Sequence, residues 1–261
     1  MEPNLLNILS SNNIIVFMLI LTRITGLFQS APFFSSIQAP IMTKVWFAAT
    51  VTFIMFPLVK ASKFFIMPHD MVEFSVLLVI EFLIGYLIGF IANLIIEATR
   101  MTGNILSIQT GLSMAEALDP ATGTSSNEIS KIYTYMATLI FIGSGAYQML
   151  FATLYNSFQA LPMGIFPLFD VNIISGLMQL FSHLFKVAFG LALPIFAVLL
   201  LSDILLGIMS KSMPQMNIYM VAIPVKIYAG LILIFAFLSS SAIFLQTTIS
   251  NYIQAINSMF N

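Results

Sequence analysis

The chain has 261 residues, of which 59% are hydrophobic and only 7% are charged, and its formal net charge is −1. Soluble domains carry about 25% charged residues, so this composition excludes a water-soluble globular protein and indicates an integral membrane protein or a permanent membrane-complex subunit. The near-neutral charge argues against nucleic-acid binding, which needs a basic surface. Because the chain has no cysteine, disulfides and cysteine-based metal sites are excluded.

The N-terminus does not have the pattern of a cleavable signal peptide. Met1, Glu2 and Pro3 supply no basic region, and Arg23 interrupts the first apolar run. We therefore expect the chain to insert into the membrane through uncleaved segments.

Apolar runs predict about six helices along the chain. A bilayer-spanning helix needs roughly 20 apolar residues, and the fourth and sixth runs meet this length without interruption. No segment shows the alternating pattern of a transmembrane β-barrel, so the predicted fold is all-α. The runs lie at 5–28, 45–59, 71–97, 130–157, 172–213 and 224–250.

The other runs are short or contain charges. Arg23 lies in the first, Glu81 in the third, and Lys186 and Asp203 in the fifth. The second run is predicted to end at Pro57. Pro194 predicts a kink in the fifth helix, because a proline removes a backbone hydrogen bond. The prediction is therefore about six kinked hydrophobic helices, not six ordinary spans.

A ridge of residues spaced four apart runs along the third predicted helix. It consists of Glu81, Gly85, Gly89, Asn93 and Glu97. The two glycines form a GxxxG pattern, which allows two apolar helices to approach closely. We predict a helix-packing seam, and the alternative is a seam that lines a wet channel with both acids facing water.

The fifth and sixth predicted helices carry a second set of polar residues. Asp203, Gly207 and Lys211 repeat the spacing of four. An inter-helix seam with an internal ion pair or a snorkelling lysine is the main interpretation, and a proton relay is the alternative. Lys226 follows Pro224, which resembles a proline in the first helical position. There a lysine opposes the helix dipole, so Asp203, Lys211 and Lys226 are predicted to make inter-subunit or lipid contacts.

A long polar stretch from Ser107 to Asn127 contrasts with the apolar chain around it. It contains two glycines, an Asp-Pro pair and several hydroxyl residues, and it predicts a flexible loop that acts as a gate. Thr124 to Asn127 are predicted to lead into a helix that begins near Glu128.

Eight residues of this loop have a predicted role in closing a pore. Gly111 and Gly123 supply backbone freedom, and Pro120 stiffens the second half of the loop. Two apolar side chains, Leu112 and Met114, are predicted to seal against apolar residues of neighbouring subunits. Three polar side chains are predicted to hold the loop by hydrogen bonds: Gln109, Ser113 and Asp119.

Signals for an enzyme are absent from the sequence. His69 and His183 lie far apart and have no metal-ligand spacing, and there is no GxSxG, P-loop or GxGxxG motif. We therefore expect no catalytic residues, no metal and no cofactor.

Several motifs, in order, resemble the FliR family of flagellar biosynthesis proteins. Each motif is weak by itself, but the ordered set covers nearly the whole chain. One local departure is Gly145-Ala-Tyr-Gln, where relatives often carry Gly-His-His. The motifs are Arg23-Ile-Thr-Gly-Leu-Phe, Ala31-Pro-Phe-Phe-Ser-Ser with Pro40, Gly85-Tyr-Leu-Ile-Gly-Phe-Ile-Ala-Asn, Gln109-Thr-Gly-Leu-Ser-Met-Ala with Asp119-Pro120 and Gly123, Met213-Pro-Gln-Met-Asn-Ile-Tyr, and Ile223-Pro-Val-Lys.

The resemblance implies a non-enzymatic subunit of the flagellar type III export gate in the bacterial inner membrane, at the basal body and partly raised toward the periplasm. Its implied partners are FliP-like and FliQ-like subunits, FlhB-like and FlhA-like export proteins, exported unfolded flagellar proteins and membrane lipids. Residues 1–185 would form a FliP-like region and 186–261 a FliQ-like helical hairpin. The loop at about 107–123 would plug the channel.

Three alternatives remain at this point. An injectisome export-gate subunit shares the implied fold. A secondary transporter predicts an inverted internal repeat, which the sequence does not show. A membrane-embedded enzyme lacks any paired catalytic constellation.

Overall fold

The structure is a computed structural model that describes residues 11–32, 34, 40–60, 68, 70–113, 127–161, 163, 171–212 and 218–259. These residues form helices and no β-strand, which confirms the all-α prediction. The helices are α1 (Ser11–Ser30), α2 (Ile41–Lys60), α3 (Met71–Thr110), α4 (Glu128–Gly143), α5 (Ala146–Ala160), α6 (Val171–Ser212) and α7 (Ile218–Met259).

Five of the helices in these ranges are long and apolar enough to cross a membrane. The number is six if the broken pair α4 and α5 counts as one span, which agrees with the predicted six helices. The predicted continuous span at 130–157 is wrong, because the helix is interrupted between Gly143 and Ala146. Gly145 has a φ of 74° there, a conformation that favours glycine, and it precedes the first residue of α5.

Three predicted helix ends are also corrected. α2 continues past Pro57 to Lys60, α3 extends to Thr110, and α7 begins at Ile218, so that Pro224 lies inside it. A proline removes one helical hydrogen bond, yet in an apolar setting the remaining backbone groups have no partners outside the helix. The helix therefore continues. α6 likewise runs through Pro194, and its predicted kink stays a prediction.

Three helices are longer than a bilayer requires. α3 has 40 residues, and α6 and α7 have 42 each. At about 1.5 Å per residue each is about 60 Å long, which is about twice the thickness of a typical hydrocarbon core of roughly 30 Å. Much of their apolar surface therefore needs a covering other than the lipid tails of one bilayer.

The chain divides into two compact units. Unit 1 comprises residues 1–94, 145–180 and 251–261, and unit 2 comprises residues 95–144 and 181–250. The proposed boundary between residues 185 and 186 lies inside α6 and stays a prediction.

Unit 1 contains a fully buried ion pair. Arg23 of α1 and Glu81 of α3 are both 0% exposed, and Arg23 Nε lies 2.5 Å from Glu81 Oε2. The other guanidinium nitrogens donate to Ser157 Oγ at 3.1 Å and to the Leu161 carbonyl oxygen at 3.4 Å. The guanidinium carbon also lies 4.2 Å from the centre of the Phe158 ring. The charge that interrupts the first apolar run is thus held by two other segments of the chain, α3 and the end of α5.

A buried ion pair stabilises the fold in comparison with a variant that has lost one of the two partners, but not in comparison with two apolar residues of similar size. A charge in an apolar interior costs several kcal/mol unless it is paired and hydrogen-bonded. Arg23 meets this condition through its three donors. The Glu81 carboxylate depends more strongly on Arg23, because its second oxygen has no hydrogen-bond partner among the described residues.

Close packing between α1 and α3 accompanies the ion pair. A Cβ atom added to Gly85 would collide with the Arg23 carbonyl oxygen, and one added to Gly89 would lie 2.6 Å from the Leu27 carbonyl oxygen. On the facing helix, a Cβ on Gly26 would lie 2.9 Å from the Tyr86 backbone nitrogen. The GxxxG pattern therefore brings two backbones of the same chain together.

Removing one member of the buried pair should be far more damaging than removing both. We expect Arg23→Ala to lower stability by about 3–5 kcal/mol, because Glu81 is left charged and buried, whereas Arg23→Met with Glu81→Leu should be nearly neutral. The readout is the thermal unfolding of the detergent-solubilised protein. The control is Arg100→Ala, whose exposed pair with Glu97 should contribute at most about 1 kcal/mol. Equal losses for Arg23→Ala and Arg100→Ala would contradict this account.

A methyl group at the α1–α3 crossing should be destabilising by itself. We expect Gly85→Ala to cost at least about 1–3 kcal/mol, the usual range for overpacking, because the colliding atom is backbone and cannot rotate away. The same unfolding measurement checks this. Gly143→Ala is the matched control, since a Cβ there meets nothing within 4 Å. A neutral Gly85→Ala would show that the two helices do not pack this closely.

Candidate functional site

The candidate site lies in unit 2, where α3 ends and α4 begins. Residues 114–126, called the connecting segment below, join these two helices. Of the predicted loop residues, Met114, Asp119, Pro120 and Gly123 lie outside the described residues, whereas Gln109, Gly111, Leu112 and Ser113 are described.

The predicted start of the loop at Ser107 is wrong. Ser107 to Thr110 form the last turn of α3, and the turn itself comes at Gly111, whose φ is 81°. The Thr110 hydroxyl donates to the Ser107 carbonyl oxygen at 3.1 Å, so a polar residue satisfies itself within the helix. Both side chains are buried, and Thr110 packs against the bare backbone of Gly230 in α7. Polar composition therefore placed the end of the helix too early.

Three predicted site residues meet at this turn. The Gln109 amide donates to Asp203 Oδ2 at 2.9 Å, and Lys226 Nζ lies 2.6 Å from Asp203 Oδ1. One carboxylate of α6 thus binds the last turn of α3 and the early part of α7. The sequence assigned these residues to two separate sets, a loop and an inter-subunit contact.

The surroundings of Lys226 differ from the prediction. Since α7 begins at Ile218, Pro224 is not in the first helical position and Lys226 is not in the first turn. The predicted acidic partner of Lys226 is Asp203 of the same chain. Lys211, which shares the predicted seam with Asp203, is exposed in the last turn of α6.

A cavity of about 430 Å³ lies beside this carboxylate. Ile108, Leu206 and Ile223 give it an apolar wall, and Asp203 and Lys226 supply its charge. Gly111 and Gly207 also border it, and a Cβ atom on Gly207 would meet nothing within 4 Å. The cavity thus leaves free space next to the end of α3.

The far end of the connecting segment is also held on α3. Asn127 caps α4 by accepting a hydrogen bond from the Ser130 backbone nitrogen at 3.2 Å, which confirms the predicted helix start near Glu128. The Asn127 amide donates to Asn104 Oδ1 at 3.1 Å and to the Gly103 carbonyl oxygen at 3.4 Å. Both ends of the segment are therefore tied to the last two turns of α3.

Close helix packing supports this second anchor. A Cβ atom on Gly103 would overlap the backbone of Ser130, and the Ser130 hydroxyl donates to the Arg100 carbonyl oxygen at 3.0 Å. Sequence analysis missed Gly103, Asn104 and Asn127 as a set. The available signal was Asn127 directly before a helical run, which is a typical N-cap.

The two loop residues that follow Gly111 are half-buried. Leu112 packs against a hydrophobic cluster of its own chain. The cluster comprises Leu106, Ile129, Tyr133, Ala192, Ile195, Leu199 and Ile234. Ser113 is the last described residue before the connecting segment.

The predicted seam divides between the two units. Glu81, Gly85 and Gly89 lie in unit 1 at the α1 crossing, and Asn93 is half-buried in the same unit. Glu97 belongs to unit 2, where it is partly exposed and pairs with Arg100 at 2.8 Å. Glu81 therefore faces Arg23 and not water, and only Glu97 borders solvent. The pairing of Arg23 with Glu81 was not predicted, because Arg23 was treated only as an interruption of the first apolar run. A single arginine and a single glutamate in two apolar helices nevertheless tend to pair with each other.

Among the described ranges, no group of three or more His, Cys, Asp or Glu residues could hold a metal ion. The arrangement around Asp203 and Asn127 instead holds helices together at the two ends of one connection.

The two functions of Asn127 can be separated by substitution. We expect Asn127→Ala to expose the first-turn amides of α4, because the helix loses its cap at a typical cost of about 1 kcal/mol. Asn127→Asp keeps the acceptor for Ser130 but loses the donor to Asn104, so those amides should stay protected while the contact with α3 is lost. Hydrogen exchange of residues 128–131 measures this. Equal exposure in both variants would contradict the assignment.

Comparison with known proteins places the chain among bacterial export proteins. Residues 14–252 match the family described as "Bacterial export proteins, family 1". Flagellar biosynthetic protein FliR of Bacillus subtilis is 29% identical over 246 residues, which is 93% of both chains. FliR of Escherichia coli is 30% identical over 230 residues, 87% of this chain and 85% of its own length. Surface presentation of antigens protein SpaR of Shigella sonnei is 31% identical over 156 residues, 59% of either chain.

Proposed function

The chain belongs to the bacterial export proteins of family 1, and from this premise we propose that it is a non-enzymatic, channel-forming subunit of a flagellar protein export gate. The flagellar assignment is supported by the relatives named FliR, which align with most of the chain. The motifs seen in the sequence point to the same family. The observation that carries the mechanism is that the chain is held by hydrogen bonds on both sides of the connecting segment, Gln109 to Asp203 of α6 and Asn127 to Asn104 of α3.

The need for partner subunits follows from how little the chain buries of its own helices. Only 22% of the residues in the apolar stretch of α6 and 17% in that of α7 are buried within the chain. Both helices are also about twice as long as a bilayer requires, so lipid tails cannot cover them entirely. In the proposed assembly, FliP-like and FliQ-like helical subunits cover these faces, and FlhB-like and FlhA-like proteins deliver the unfolded flagellar substrates.

The proposed division of the chain matches this role. Within unit 2, α6 and α7 pack through the Asp203–Lys226 pair and through Ala192, Ile195 and Ile234 of the hydrophobic cluster. Such a pair of contacting helices is what a FliQ-like hairpin over residues 186–261 requires. Residues 1–185 would then be the FliP-like part. The proposed location is the inner membrane at the flagellar basal body, partly raised toward the periplasm.

The connecting segment is the proposed plug. A segment that closes a pore must return to the same place after each substrate has passed, so its ends need fixed attachment points. Gln109 and Gly111 supply one and Asn127 supplies the other. In this proposal Met114, Asp119, Pro120 and Gly123 enter the channel. Leu112, which packs on its own chain, fixes the base and is not part of the tip.

An injectisome export gate is the second candidate. It is favoured by the SpaR relatives, whose identity is similar to that of the FliR relatives but whose alignment covers 59% of the chain. The broader coverage by the FliR relatives favours the flagellar role.

Shortening the connecting segment should open a pathway for ions. We expect replacement of residues 114–123 by a short Gly/Ser linker to raise the small-ion leak across the inner membrane of cells that produce the complete gate. The anchors at Gln109 and Asn127 are left intact, so assembly should continue. The measurement is ion leak normalised to the amount of assembled complex.

A length-matched variant gives the control. Replacement of the same residues by a Gly/Ser stretch of equal length tests whether bulk alone closes the pore. A normally assembled complex that leaks no more than wild type after shortening would refute the plug.

A further inference from the structure

The geometry points to a latch at the end of α3, formed by Gln109, Asp203 and Lys226. We propose that Asp203 holds the last turn of α3 against α6 and α7, and that movement of this turn requires both bonds of Asp203 to break. This inference rests on the proposed function for its consequence in export. Its structural content is that one carboxylate of α6 binds both the last turn of α3 and α7.

Both oxygens of that carboxylate are engaged, each by a different helix. Oδ2 accepts from Gln109 of α3 at 2.9 Å, and Oδ1 pairs with Lys226 of α7 at 2.6 Å. Asp203 itself belongs to α6. A change that neutralises or displaces this carboxylate therefore weakens two helix contacts at once. The bond of Gln109 and the ion pair of Lys226 are coupled because they share one group.

The exposure of this pair differs from that of the other inter-helix pair. The side chain of Asp203 is 44% exposed and that of Lys226 is 16% exposed, whereas Arg23 and Glu81 are both 0% exposed. A partly hydrated pair can separate without leaving a dry, unpaired charge, and a fully buried one cannot. The Asp203 pair thus suits a contact that opens and closes, and the Arg23 pair suits a permanent one.

The end of α3 also has room to move in one direction. Thr110 is packed tightly against Gly230 of α7 on one side. On the other side Ile108, which is 69% exposed, and Gly111 border the cavity of about 430 Å³ next to Asp203. Once the latch breaks, this side of the last turn faces open space, whereas Leu106, Ser107 and Thr110 are buried. The positive φ of Gly111 places the turn at the same point.

Hydrogen exchange tests the latch independently of any plug. In the complete, co-expressed complex we expect Asp203→Asn to raise the exchange rates of the amides from Gln109 to Gly111 by about tenfold or more. That factor is the loss expected for a hydrogen bond to a charged group. Gln109→Leu should raise the same rates while leaving the Asp203–Lys226 pair intact. The combined reversal Asp203→Lys with Lys226→Asp should restore protection.

Variants of Lys211 provide the matched control, because this lysine is exposed on the same helix as Asp203. Lys211→Met should leave exchange at the α3 turn unchanged. If Asp203→Asn fails to assemble, Gln109→Leu decides, since it removes only one bond. Wild-type exchange at the α3 turn in an assembled Gln109→Leu complex would overturn the latch.

A disulfide lock connects the latch to channel opening. The chain has no cysteine, and a Cβ on Gly230 would lie 3.2 Å from the Thr110 Cβ, a few tenths of an ångström short of the usual disulfide spacing of about 3.5–4.5 Å. In an Asp203→Asn background we expect ion leak to rise. Oxidising the Thr110→Cys and Gly230→Cys pair should return it to the wild-type level, and reduction should release it. The two single-cysteine variants should show no redox response.

The two proposals fail in different ways. If shortening the connecting segment produces no leak but Asp203→Asn still loosens the α3 turn, the plug is refuted and the latch stands. If the shortened segment leaks while Asp203→Asn changes neither exchange nor leak, the latch is refuted and the plug stands. Leak from Asp203→Asn that persists with the disulfide formed would refute movement of the α3 turn as the cause.

Discussion

The buried pair of Arg23 and Glu81 constrains unit 1 more than any other contact. A charge inside an apolar helix must find a partner within the protein, because neither lipid tails nor an apolar core can solvate it. Arg23 meets this requirement with Glu81 of α3 and with Ser157 and the Leu161 carbonyl at the end of α5, so two other parts of the chain hold it. The close crossing at Gly85 places the two helices near enough for the pair to form. Packing and electrostatics therefore depend on each other here.

The second inter-helix pair works under a weaker constraint. Asp203 and Lys226 are partly exposed, and Asp203 shares its carboxylate with Gln109. Water can replace either partner of Asp203, so this contact can hold the last turn of α3 beside α6 and still separate. The proposed channel, through which polypeptides pass, needs both kinds of contact. Rigid crossings preserve the assembly, and exchangeable ones allow a local element to move.

The long apolar helices connect the fold to its proposed role. α6 and α7 bury few of their own residues, and their exposed residues include Phe185, Phe189, Leu201 and Phe235. A monomer could not keep this surface out of water over the full length of the helices. Membership of the bacterial export proteins and the need for covering surfaces thus lead to the same conclusion. Both support the proposal that the chain is one part of a larger helical assembly.

Composition and apolar periodicity by themselves determined the class of the protein, its all-α fold and the approximate order of its helices. These features follow from local content: a charge-poor chain must be buried, and backbone groups in lipid must bond within a helix. The start of α4 near Glu128 was also readable, because an N-cap is a local signal. The end of α3 was not, since Ser107 and Thr110 look like loop residues until they are seen buried in the last turn, where the Thr110 hydroxyl donates to the Ser107 carbonyl oxygen.

Only the tertiary structure decided which polar residues meet. Arg23 and Glu81 are 58 positions apart, and Gln109 and Asp203 are 94 apart. The sequence assigned Asp203 and Lys226 to inter-subunit or lipid contacts, whereas in the structure they pair with each other between neighbouring helices of one chain. Periodicity shows which face a residue occupies on its own helix, but it carries no information on the helix that packs against that face. The contacts that hold the ends of the connecting segment are set by that packing.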